Sequence, residues 1–139
     1  MKVLGLDLGS QTLGVAISDS LGIVASPIGT YKINKNNLHM AIDYVRILVK
    51  EHNIQKVVLG LPKNMDGSIG PQAEYCLTFK EMIEKELMIE VIMVDERLTS
   101  RIADQVMIKA DISRQKRKHH IDKLAASIIL QTYLDSIRN

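Results

Sequence analysis

Three acidic positions in this 139-residue chain stand where an acid is costly. Asp7 interrupts the apolar run Val3–Leu8. Glu96, with Asp95 before it, follows the apolar run Val91–Val94, and Asp122 borders an apolar helical stripe. Burying such a carboxylate is unfavourable unless it is paired, hydrogen-bonded or bound to a cation. Carboxylates that meet repel one another, and a cation between them removes the repulsion. Hard oxygen donors suit Mg²⁺ or Mn²⁺, and no Cys/His spacing suggests zinc. His39 and His52 read as surface residues. A carboxylate-held metal pair suits phosphodiester hydrolysis, with one ion lowering the pKa of an attacking water and the other stabilising the leaving oxygen. Each acid also has a plainer role: Asp7 as the cap of a turn, Asp122 as a partner of a helix dipole.

The elements that must position these acids follow from hydrophobic periodicity. Val3–Leu8 and Thr12–Ile17, joined by Gly9-Ser10-Gln11, predict a hairpin. Strand alternation places Val3, Gly5, Asp7 and Gly9 on one face, a small-residue face with room beside the carboxylate, and Leu4, Leu6 and Leu8 on the other. Ile23–Tyr31 reads as a third strand, and Pro27 suits an edge. Leu38, Ala41, Ile42, Val45, Leu48 and Val49 recur at helical spacing. Val57–Leu61, ended by Pro62, and Val91–Val94 read as short buried strands. Between them lie the turn-rich segment Pro62–Pro71 and a helix marked by Ala73, Cys76, Leu77, Ile83 and Leu87. A further helix capped by Thr99 or Ser100 carries Ile102, Ala103, Val106 and Met107. The last helix runs from Arg114 or Ile121 to Ile137. Its stripe is Ile121, Leu124, Ala125 and Ile128, with Asp122 about 100° round from Ile121 on a row shared with Ala126 and Ile129. Three strands in a meander followed by alternating helices and strands predict an α/β fold. Its mixed five-stranded sheet has three antiparallel strands, then two parallel ones, and helices on both faces. Sites in such sheets form at the carboxyl ends of the parallel strands, where Asp7, Gly60-Leu61-Pro62 and Asp95-Glu96 all fall.

Composition narrows the class. Apolar residues make up 46% and charged residues 24%, ordinary for a folded domain, and residues 1–139 read as one domain. No apolar run reaches transmembrane length, no signal-peptide pattern opens the chain, and the lone cysteine, Cys76, fits a reducing cytoplasm as buried filler. Net charge is only +2, but it is segregated. Between Lys109 and Lys123 six basic residues face two aspartates, a local +4, extended by His119 and His120. This cluster, with Arg114, Lys116, Arg117 and Lys118 at its centre, is a candidate contact for a polyanion; a solvated helix face is the alternative. Lysine and arginine hold phosphates without reading sequence.

Four segments carry a resemblance: GLDLGSQTLGVAISD, VVLGLPKNMDGSIGP, VDERLTS and DISRQKRKHHIDKLAASIILQTYLD. In this order, over nearly the whole chain, they resemble the YqgF/RuvX family of the RNase H-like superfamily. The resemblance implies an RNase H-like domain, a divalent-metal endonuclease and a role in maturing the 5′ end of pre-16S rRNA; similar proteins have also been called Holliday junction resolvases. By the same resemblance Asp7, Glu96 and Asp122 match the acids that hold the metals. Arg97 and Thr99 match positions that hold the DERLT loop and contact substrate. Gln11 departs from a basic residue after the first turn, and Val94 from an aromatic before the DER motif.

Two other classes compete. DLGSQTLGVAI also resembles the phosphate hairpin of sugar kinases, actin and Hsp70-type ATPases, but those proteins need two such domains, and no Walker-type loop is present. A non-catalytic RNA-binding assembly factor is the stronger rival. Aromatic residues are only 4%, which leaves no stacking platform, and three acids would hinder a pure phosphate binder. The expected partner is therefore nucleic acid, structured rRNA precursor or branched DNA, with no membrane. The sequence does not separate monomer from homodimer.

Overall fold

The computed structural model describes residues 1–97 and 114–138, with side chains described up to residue 97 and again over 124–138. In chain order the elements are β1 (Val3–Leu8), β2 (Thr12–Ser18), β3 (Ala25–Lys32), α1 (Leu38–His52), β4 (Lys56–Leu61), α2 (Pro71–Leu87), β5 (Val91–Asp95) and α3 (Arg114–Arg138). They build one five-stranded sheet of order β3-β2-β1-β4-β5. β1, β2 and β3 are antiparallel neighbours, whereas β4 runs parallel to β1 and β5 parallel to β4. The helix predicted from Thr99 or Ser100 lies outside the described residues.

Alternation along β1 sorts the core. Leu4, Leu6 and Leu8 join α1 and α2 in a large cluster that includes Leu13, Ile42, Val45, Leu59, Phe79 and Ile83. Val3, on the opposite face, packs with Ala16, Val58 and the α3 residues Ala126, Ile129, Leu130 and Leu134. Helices therefore cover both faces, as parallel strands require.

Three expectations shift. The third strand starts at Ala25, not Ile23, because the Asp19 carboxylate accepts the Ile23 and Val24 amides at 2.7 and 3.2 Å and extends the turn. β3 is an edge strand, as Pro27 suggested; Val15 pairs with Gly29 and Ala16 with Pro27, so Ile28 is an extra residue in a bulge. β5, read as fully buried, is the other edge, and only Val91 in it is buried. In α3 the buried face is Ala126, Ile129, Leu130 and Leu134. The expected stripe of Leu124, Ala125 and Ile128 is only half-buried. No helix among the described residues is long and apolar enough to cross a membrane.

α3 sits very close to β1. A Cβ added at Gly5 would lie 2.6 Å from the Leu130 Cβ and 3.0 Å from the Ala126 carbonyl oxygen. Only glycine allows this approach. The expected open space beside Asp7 at Gly5 is thus filled by the helix, and at Gly9 by the Thr12 hydroxyl, 2.8 Å from an added Cβ.

Candidate active site

Alternation along β5 and the turn that follows it decide which acids meet. In β5, Val91 and Met93 pack into the α1/α2 cluster, while Ile92 and Val94 pack on the α3 side. Alternation sends Asp95, the last residue of β5, towards the first face. Glu96, in the helical turn that follows, lays its side chain over Gly60 on the second face, the one shared by Val3, Gly5 and Asp7. β4 lies between β1 and β5. Its residues on the α3 side are Val58, which pairs with Gly5, and then Gly60, which pairs with Val94.

The carboxyls of Asp7 and Glu96 meet in a hydrogen bond. The Glu96 side chain crosses above Gly60, where an added Cβ would lie 2.8 Å from its Cδ and 2.9 Å from its Cγ. Gly14, the partner of Asp7 on β2, borders the other side of the aspartate: its Cβ would be 3.5 Å from the Asp7 Cβ and 3.7 Å from the Ala126 Cβ. Burial pushes the Glu96 carboxyl up to about 8; the Asp7 charge, the hydrogen bond to Asp7 and the nearby Asp95 add to the shift. Two like charges in a shielded site cannot both ionise without a compensating cation. The paired oxygens are hard donors, so the pair fits a divalent cation. Among the described residues no group of three His, Cys, Asp or Glu side chains forms a metal cluster.

Asp122 is in α3, one turn before Ala126, so helical spacing puts its backbone position on the row of the buried face; its side chain lies outside the described residues. The side chains of Arg114, Lys116, Arg117 and Lys118 and the whole of Thr99 also lie outside them.

Asp95 has a different partner. Its carboxylate takes Arg97 Nη2 at 2.7 Å and Arg97 Nε at 3.1 Å, and this bond holds Asp95 below the usual carboxylate range. Arg97 Nη1 donates to the Met65 carbonyl at 3.2 Å. Arg97 therefore fastens the 62–70 loop to the end of β5. That loop is braced internally by the Asn64 amide on the Ser68 carbonyl at 3.0 Å and the Gly67 amide on the Asn64 carbonyl at 2.8 Å. Gln72 at the start of α2 donates to the Leu8 carbonyl at 3.0 Å and secures the end of β1. Cys76 lies beneath, buried, its thiol pushed up to about 12 by burial and by the charges of Glu96 and Asp7, which leaves it unreactive.

Sequence reasoning had marked Gly60 only as part of a strand end, and it missed Gly14 and the Met65 carbonyl. Gly60 could have been found from its place two residues beyond the buried Val58, in a strand flanked by acid-bearing neighbours.

A family model described as "RuvX: Holliday junction resolvase" matches residues 1–136. A "Putative pre-16S rRNA nuclease" of Bacillus cereus (strain G9842) is 49% identical over 136 residues, which is 98% of this chain and 99% of that protein. The protein of the same name from Bacillus cytotoxicus is 50% identical over 136 residues, with the same coverage. Among solved structures, RuvC of T. thermophilus in complex with a Holliday junction substrate superposes with a TM-score of 0.61 at 13% identity, over 100% of this chain and 96% of that one. At that identity the likeness establishes the fold, RNase H-like, and nothing finer.

Proposed function

This chain belongs to the RuvX family, and from that premise we propose that it is a divalent-metal-dependent endonuclease acting on the precursor of 16S rRNA, at the 5′ end, during ribosome biogenesis in the cytoplasm. The observation that carries the metal-dependent chemistry is the meeting of Asp7 and Glu96 on one sheet face, at the carboxyl ends of the parallel strands β1 and β4 and beside the end of β5. The names of the curated relatives support the RNA substrate.

Asp7 and Glu96 would hold the ion, with Asp122 as the third acid. When bound, the ion supplies a water of lowered pKa and positive charge for the oxygens of the scissile phosphate. Burial and the Asp7 charge favour a proton on Glu96 in the metal-free protein, and a bound divalent cation would instead favour the ionised carboxylate. Asp95 stays ionised on Arg97, outside this exchange, and the Arg97 bond to Met65 keeps the 62–70 loop beside the site. Thr99 contacts substrate, and Arg114, Lys116, Arg117 and Lys118 seat its phosphate backbone. A pure RNA-binding role conflicts with a carboxylate pair that repels phosphate.

The family description and the RuvC fold favour a second reading, the same hydrolysis on branched DNA. A side-by-side assay on pre-16S rRNA and on a synthetic four-way junction, with Mn²⁺, Mg²⁺ or EDTA, separates the two. Metal-dependent cleavage of the RNA, lost in Asp7→Asn, is expected. Cleavage of the junction alone transfers the assignment to DNA, and undiminished cleavage by Asp7→Asn overturns the metal site.

A further inference from the structure

Asp7 sits on β1 and Glu96 just past the end of β5, and β4 lies between those two strands. For their carboxyls to touch, the Glu96 side chain must lie across the backbone of β4, and it does so above Gly60. The space that a Cβ would take there is occupied from two sides, by Glu96 Cδ at 2.8 Å and Cγ at 2.9 Å and by Ile129 Cδ1 at 2.7 Å. Glycine inside a strand weakens it and marks a place where something approaches the backbone closely. At Gly5 the close neighbours include the Ala126 backbone, which cannot yield. At Gly60 they are the outer parts of two side chains, which can. A methyl group at 60 would therefore be tolerated by the fold, and Glu96 would move to make room for it.

We propose that Gly60 is a positioning residue of the active site: its bare backbone is the gap through which Glu96 reaches Asp7 across β4. The inference rests on the assignment of Asp7 and Glu96 as the metal-holding pair. Gly60 touches neither substrate nor ion and acts through Glu96. Any side chain at 60 closes the gap and separates the carboxyls, so the site loses its shared oxygen face while the sheet remains.

The test is a double-mutant cycle read as Mn²⁺ affinity by titration calorimetry on the full chain, with circular dichroism as the check of folding. Gly60→Ala is expected to weaken Mn²⁺ binding about tenfold or more, the scale seen when a residue that orients a ligand is lost. Glu96→Gln should weaken it at least as much. The double variant should be within about twofold of Glu96→Gln alone, because Gly60 acts only through that side chain. Ile129→Val removes the Cδ1 that also meets the added methyl. Gly60→Ala/Ile129→Val should therefore recover stability while keeping the weak binding, and it carries the measurement if Gly60→Ala alone fails to fold. Parent-like affinity in folded Gly60→Ala, or losses that multiply in the double variant, overturns the role of Gly60. Parent-like affinity in Glu96→Gln overturns the metal pair itself, and the inference with it.

Discussion

Asp7 on the first strand and Glu96 just past the last one share a hydrogen bond across an intervening strand. Burial of Glu96 and the charge of Asp7 both raise the Glu96 carboxyl, while the strand order keeps the two side chains together.

That tension predicts how stability depends on pH. Glu96 has its folded-state value pushed up to about 8 from an ordinary 4.5, so between those values the folded protein keeps a proton that the unfolded chain has released. The contribution is fully present below about pH 4.5 and is lost as pH rises through 8. The unfolding free energy of the metal-free protein, read from urea titrations, should fall from pH 5 to pH 8.5 by roughly 2 kcal/mol, after allowance for partial solvent screening. Millimolar Mn²⁺ should flatten the profile.

Asp7→Asn removes one of the two like charges. Its metal-free form should be more stable than the parent at pH 8.5, by about 1 kcal/mol. Cleavage should fall by more than about a hundredfold, beyond the loss typical of residues that only support a ligand. Paired measurements of the urea midpoint and of single-turnover cleavage check both halves.

Gly5→Ala should be far more harmful to folding than Gly60→Ala. The added methyl at 5 meets the Leu130 Cβ at 2.6 Å and the Ala126 carbonyl at 3.0 Å, so α3 as a whole must move. Overpacking of this kind costs about 1–3 kcal/mol. Equilibrium unfolding of the two variants side by side tests the order.

Arg97→Lys should release the 62–70 loop, because an ammonium cannot span the Asp95 carboxylate and the Met65 carbonyl as the guanidinium fork does. Hydrogen exchange at the Asn64 and Gly67 amides should accelerate. The KM for RNA should rise several-fold, and global stability should change by no more than about 1 kcal/mol. Unchanged exchange at both amides would show that the loop holds itself.

Neutralising Arg114, Lys116, Arg117 and Lys118 together should weaken RNA binding and reduce the slope of log affinity against log salt, by up to roughly 3 if all four meet phosphates. Binding measured across a salt series gives the slope directly. An unaltered slope would mark the run as a solvated face.

Much of the fold was legible because short-range patterns specify it. Alternation in Val3–Leu8 separated the Asp7 face from the leucine face before any tertiary contact was known, and Pro27 pointed to an edge. Helical spacing located α1 almost to the residue. The start of β3 was misread because the decisive bonds are made by the Asp19 side chain to backbone amides, which periodicity does not record. The buried face of α3 differs from the expected stripe because two adjacent rows, one through Leu124, Ala125 and Ile128 and one through Ala126, Ile129 and Leu130, are both apolar, and only the facing strands select between them.

By itself the sequence determined which residues are acidic within apolar elements and which face of its strand Asp7 occupies, while its resemblance to a family pointed to Glu96, with Asp95 beside it, as a partner. Those properties are local or compositional and need no partner in space. Only the tertiary structure decided how Asp7 and Glu96 come together, because the strand order inserts β4 between them and the contact then depends on Gly60 having no side chain. It also gave Asp95 to Arg97 and gave the space at Gly5 to α3. Each of these outcomes is a competition for one volume between residues distant in the chain, and that competition is settled only when the sheet is assembled.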